Sequence, residues 1–134
     1  MGMLSYLQYI SLANNNIHGT IPPTFSTWNL LYTIDFSMNS LSGTLPNFIS
    51  TFSDLRSLRF DHNKFQGPLP SSWDAPQLPK LTIFVLSHNS LSGSIQPSTW
   101  GNFTQLSILD LSNNSFTGVT PNGLKYAQNI RKCL

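Results

Sequence analysis

Leu31-Tyr32-Thr33-Ile34-Asp35-Phe36-Ser37-Met38-Asn39-Ser40-Leu41-Ser42-Gly43-Thr44-Leu45-Pro46 decides the architecture, because it is one of five copies of a single pattern. The residue types around Asn39 recur around Asn15 (Leu7, Ile10, Leu12 before it; Ile17, Gly19, Ile21, Pro22 after it). They recur around Asn63 (Leu55, Leu58, Phe60; then Phe65, Gly67, Leu69, Pro70) and Asn89 (Leu81, Phe84, Leu86; then Leu91, Gly93, Ile95). The fifth copy surrounds Asn114 (Leu106, Leu109, Leu111; then Phe116, Gly118), with Thr120 in an apolar slot before Pro121. Successive asparagines lie 24, 24, 26 and 25 residues apart, so one supersecondary unit is repeated rather than several different ones joined.

Each column has a physical reason. The L-x-x-L-x-L segment alternates apolar and polar residues, which reads as a short strand with one buried face. One coil cannot bury that face alone, but stacked coils bury it against each other. The column asparagines (Asn15, Asn39, Asn63, Asn89, Asn114) carry two donors and an acceptor. They suit an internal ladder that satisfies the backbone of the turn leaving each strand. The column glycines mark a tight bend or close approach, and the prolines after them a turn or sheet edge. A further column three residues past the proline slot (Phe25, Ile49, Trp73, Thr99, Leu124, with Trp100 beside the exception) reads as a convex packing spine. The large apolar residues are therefore core rather than a stacking platform for bases or sugars.

Charged residues are 9% of the chain and the net charge is +2, with no basic run, which argues against a nucleic-acid partner. No apolar run is long enough to span a membrane, and Met1-Gly2-Met3-Leu4 is not the start of a signal peptide. The surface is built from Ser, Thr and Asn, a composition more common outside the cell than in the cytosol. Residues 1–121 form the repeats. Residues 122–134 fit either a short capping helix or the opening of a sixth repeat with Ala127, Ile130 and Cys133 in the Leu columns. The second reading keeps the period and makes Cys133, the single cysteine, a buried apolar residue.

The stretches Asn39-Ser40-Leu41-Ser42-Gly43-Thr44-Leu45-Pro46, Asn89-Ser90-Leu91-Ser92-Gly93-Ser94-Ile95 and Asn16-Ile17-His18-Gly19-Thr20-Ile21-Pro22 resemble the plant-specific N-x-L-x-G-x-I-P class of extracellular leucine-rich repeats, over roughly residues 4–121. The resemblance implies a right-handed α/β solenoid with a concave parallel sheet, a second short sheet on one side and short convex helical or 3-10 segments. Proteins of this class are ectodomains of receptor-like kinases and receptor-like proteins, or wall proteins such as polygalacturonase inhibitors. It therefore implies an extracellular or plasma-membrane-attached parent whose partner is a peptide or protein, a co-receptor or a wall enzyme. No kinase signature, paired-cysteine cap or membrane span is present, so the chain is expected to be a fragment or truncated form and not itself an enzyme.

Function is expected on the concave face, where the polar residues of the strands form columns. Coils two to four carry Tyr32, Asp35, Met38, Arg56, Arg59, Asp61, His62 and His88, a varied set suited to recognition on a rigid scaffold. The competing reading makes Asp35–Arg59 and Arg59–Asp61 plain exposed ion pairs worth about 0–1 kcal/mol. His62 and His88 fall side by side, and imidazole ordinarily titrates near about 6.5, so ligand affinity is expected to change between about pH 5 and 7. Asp61 with the two histidines does not supply a closed metal-ligand set, and neither a metal nor any cofactor is expected. Asn102-Phe103-Thr104 and Asn113-Asn114-Ser115 are glycosylation sequons with meaning only outside the cell. No catalytic constellation is present. A non-catalytic recognition module leads; a wall-enzyme inhibitor and a non-functional receptor fragment are the alternatives.

Overall fold

The computed structural model describes residues 6–74, 78–95 and 105–118. Its strands are β1 (Tyr9–Ser11), β2 (His18–Gly19), β3 (Thr33–Asp35), β4 (Ser40–Gly43), β5 (Ser57–Arg59), β6 (Lys64–Gly67), β7 (Ile83–Val85), β8 (Ser90–Ser94), β9 (Ile108–Asp110) and β10 (Ser115–Thr117). They form two five-stranded parallel sheets in the orders β1-β3-β5-β7-β9 and β10-β8-β6-β4-β2. Each coil gives one strand to each sheet. The register aligns Ile10, Ile34, Leu58, Phe84 and Leu109, so the apolar column of the sequence is one row of the first sheet, buried from Ile34 to Leu109 and partly buried at Ile10. Leu58 and Phe84 are fully buried within it.

Short 3-10 helices over Pro23–Thr27, Asn47–Thr51 and Ser71–Asp74 form a third side. A proline precedes or opens each one for a reason. The fixed φ of Pro22 and Pro46 (−68° and −77°) keeps the chain extended up to the turn, and proline's missing N–H is not needed there. The carbonyls of Pro22, Pro46 and Pro70 then accept from the N–H groups of Phe25, Ile49 and Trp73 at 3.1, 3.3 and 2.9 Å. Ile49 and Trp73 are buried and Phe25 is partly buried, all packing on the core, so the spine column lies where the helices meet the solenoid interior. Thr99, Trp100 and Leu124 of that column lie outside the described residues, as do 122–134 with Cys133.

Phe36, Phe60 and Phe65 pack in the interior. Phe36 stacks on Phe60 at 5.6 Å between centroids, and Phe60 on Phe65 at 5.3 Å. The glycine column has positive φ in every coil. At Gly43 (φ 83°) a Cβ would also sit 2.8 Å from Thr20 Cγ2, so a side chain there would be strained by its backbone and would have to displace the threonine methyl of the preceding coil.

Asn39, Asn63, Asn89 and Asn114 join adjacent coils. Asn63 Nδ2 donates to the carbonyl of Phe36 in the preceding coil (2.9 Å) and to those of Phe60 and Asp61 in its own (3.1 and 3.2 Å). Its Oδ1 accepts from Leu41 N–H at 2.9 Å. Asn39, Asn89 and Asn114 repeat this arrangement through the N–H groups of Ile17, Phe65 and Leu91. Asn15 differs. It is exposed and donates only within its own coil, to Leu12 and Ala13, because no described coil precedes it.

Candidate functional site

The first sheet presents its non-core face as a concavity, with neighbouring strands roughly 4.8 Å apart. Asp35, Arg59, Val85 and Asp110 lie in register across β3, β5, β7 and β9, and Thr33, Ser57, Ile83 and Ile108 form the row beside them. Tyr32 and Arg56 come immediately before β3 and β5. Both are exposed at the leading edge of the sheet, Tyr32 at 39%. With Gln8, Leu30 and Asp54 they line a cleft of about 360 Å³. Asp54 of this lining forms an exposed ion pair with Lys80. The Lys80 ammonium holds the Asp54 carboxyl below its usual range, by hydrogen bond first and then by charge.

The eight residues singled out from the sequence are thus spread across one face, in three zones. Tyr32 and Arg56 sit at the leading edge. Asp35, Arg59 and Asp61 occupy the middle. Met38, His62 and His88 lie at the trailing edge. The trailing column differs from the expectation in kind: Asn14, Met38, His62, His88 and Asn113 are not strand residues but hold left-handed backbone, with φ between 53° and 58°. Asparagine and histidine are among the side chains that enter that region most readily, whereas methionine is strained in it. Met38 is half exposed, at 51%.

Neither Asp35–Arg59 nor Arg59–Asp61 forms an ion pair. Asp35 turns to its own strand exit, accepting from Ser37 N–H (3.1 Å) and Ser37 Oγ (2.7 Å) through Oδ1. Asp110 does the same with Ser112, at 3.0 and 2.6 Å. The D-x-S spacing makes this local closure cheaper than ordering an arginine across the sheet. Burial is the largest influence on Asp110 and opposes its charge. The bonds from Ser112 and Ser87, with His88 nearby, outweigh it and hold the carboxyl below its usual range. Asp61 instead faces His62, with Oδ2 3.1 Å from Nδ1, and its Oδ1 is buried without a partner. Arg59 makes no ion pair among the described residues.

His62 and His88 stack with centroids 4.1 Å apart and planes 19° from parallel. Asn113 Nδ2 lies 3.0 Å from His88 Nε2, and since an amide nitrogen only donates, His88 accepts there. Two stacked rings aim their lone pairs along parallel planes, which does not converge on a metal. No group of three His, Cys, Asp or Glu suited to a metal exists among the described residues. Of the sequons, Asn113 is exposed at the trailing edge, and Asn102 lies outside the described residues.

The half-buried Ile83 and Ile108 flank buried Val85, and the sequence reading left these three out of the candidate set. Val85 does not join the core cluster, because strand alternation sends Phe84 inward and Val85 to the concave side. The signal was present in the sequence: apolar residues in two columns that are otherwise polar.

Residues 6–28, 30–52, 54–75, 80–103 and 105–127 match the Leucine Rich Repeat family. The chain is 36% identical over 120 residues to Receptor-like protein 41 of Arabidopsis thaliana, an overlap of 90% of this chain and 14% of that protein. The fold is similar to the ectodomain of the Arabidopsis thaliana receptor kinase GASSHO1/SCHENGEN3, solved with CASPARIAN STRIP INTEGRITY FACTOR 2, at a TM-score of 0.86 and 33% identity, covering 95% of this chain and 15% of that one. It is also similar to the plant peptide hormone receptor RGFR1 in complex with RGF2, at a TM-score of 0.85 and 33% identity, covering 96% and 20%. The chain therefore spans a fifth or less of each of these relatives. No helix among the described residues is long and apolar enough to cross a membrane.

Proposed function

This chain belongs to the leucine-rich-repeat family, and from that we propose that it is a non-catalytic recognition module whose concave face binds a peptide or protein ligand outside the cell. The observation that carries the reading is the clustering on coils two to four. Exposed aromatic and thioether groups (Tyr32, Met38), two arginines outside any ion pair among the described residues (Arg56, Arg59) and a stacked histidine pair lie on one face of the first sheet and its trailing edge. Unpaired arginines and half-exposed aromatics are the residue types that dominate binding energy at interfaces. The likeness to peptide-hormone receptors favours a peptide over other ligand classes. A co-receptor, and a larger membrane-attached protein of which this chain would be a part, belong to the same proposal.

The test is capture of fluorescent wild-type chain on an array of synthetic peptides, with a Tyr32→Ala/Arg56→Ala/Arg59→Ala variant alongside. The expected result is selective capture weakened at least about tenfold in the variant, equivalent to about 1.4 kcal/mol. Equal capture by both chains would refute a concave-face site.

A further inference from the structure

The centre of the concave face has a chemical polarity that the proposed function does not specify. We propose that it reads an extended peptide carrying an acidic residue and a branched aliphatic residue separated by one position; this rests on the peptide-binding reading above. Ile83, Val85 and Ile108 form an apolar floor shared by β7 and β9. Arg59 stands on β5, one strand away, in register with Val85.

The carboxylates on the same face are bonded elsewhere than to Arg59. Asp35 is held by Ser37, Asp110 by Ser112, and Asp61 meets His62 through one of its two oxygens. Arg59 keeps its guanidinium donors outside any ion pair among the described residues. A charged guanidinium beside an apolar floor favours a ligand carboxylate over a neutral group. Asp110 borders the floor on the side away from Arg59, so it repels an acid placed there and directs the acidic residue towards coil three.

The spacing follows from strand geometry. The middle of the floor, between β7 and β9, lies one and a half strand spacings from β5, roughly 7 Å. Side chains on one face of an extended peptide recur every second residue, also roughly 7 Å apart. A pair at i and i+2 therefore seats both groups at once. Pairs at i and i+1 point to opposite faces, and pairs at i and i+4 overshoot by nearly the same distance again.

The probe is an array of C-terminally amidated nonapeptides in a Ser/Gly background. Asp or Glu is paired with Leu, Ile or Val at i,i+1, i,i+2 and i,i+4 in both orders, beside an unbiased peptide library. Amidation removes the terminal carboxylate as a competing source of charge. Full-length chain is expected to favour i,i+2 peptides at least about fivefold, and Arg59→Gln and Ile108→Thr should each erase that preference. Arg59→Gln removes a group that forms no ion pair among the described residues, so its result stands even if the Ile108 variant proves unstable. A preference for another spacing, or one that survives Arg59→Gln, overturns the inference. If library peptides without the pair are captured and are lost in the triple concave variant, only this inference fails. If no peptide of either set is captured, the peptide-binding reading fails with it.

Discussion

Asn63→Leu should be far more costly than the same change at Asn15, and the difference can be worked from the hydrogen bonds. Asn63 accepts from Leu41 N–H and donates to the carbonyls of Phe36, Phe60 and Asp61. Those carbonyls keep other partners: Asn39 on Phe36, Asn89 on Phe60 and the Met38 N–H on Asp61. The Leu41 N–H, inside the stack, loses its acceptor. An orphaned buried donor costs about 1–3 kcal/mol, and three thinned carbonyl contacts add a further fraction each, for a total of about 2–4 kcal/mol. Asn15 is exposed and makes two bonds within its own coil, so Asn15→Leu should cost less than about 1 kcal/mol. Urea unfolding followed by circular dichroism, with matched m-values, measures both. Equal losses at the two sites, or a loss below about 1 kcal/mol at Asn63, would refute the ladder as the link between coils.

Met38→Asn should raise stability by about 0.5–1 kcal/mol by relieving a left-handed methionine, visible as a higher thermal midpoint; an unchanged or lower midpoint counts against strain there. Ser112→Ala should raise the Asp110 titration midpoint measured by carboxyl-carbon NMR. Because the native carboxyl is held below its unfolded value, its contribution is present above about pH 4 and is lost as pH falls through the lower native value. The variant should therefore unfold in acid at a higher pH than the wild type.

The fold was legible because stacking forces equivalent residues into equivalent environments. A buried row such as Ile34, Leu58 and Phe84 must repeat at the coil period, and so must a bend such as that at Gly43. What the period could not convey was how a single side chain resolves a local choice. Asp35 and Arg59 are neighbours in register, which invited an ion pair, yet Ser37 lies two residues along the chain and captures the carboxylate first. Met38, His62 and His88 looked like strand residues because methionine gives no sign of a left-handed turn and histidine only a weak one. Asn14 and Asn113 in the same column were the clearer hint. Ile83, Val85 and Ile108 fall in concave columns in the sequence as well, but the apolar floor went unnoticed because the charged, aromatic and histidine residues of those columns stand out as the binding set. Val85 shows that strand alternation outranks residue type.

The central claim is that ligand contacts fall on the first sheet's outer face over coils two to four. Hydrogen–deuterium exchange of the full chain, with and without an array-selected peptide, tests it directly. The account predicts added protection in Tyr32–Asp35, Arg56–Arg59 and Thr82–Val85, with none in the second sheet at Ser40–Gly43 or Lys64–Gly67. Protection confined to the second sheet or to the 3-10 helices at Pro23–Thr27 and Asn47–Thr51 would contradict it.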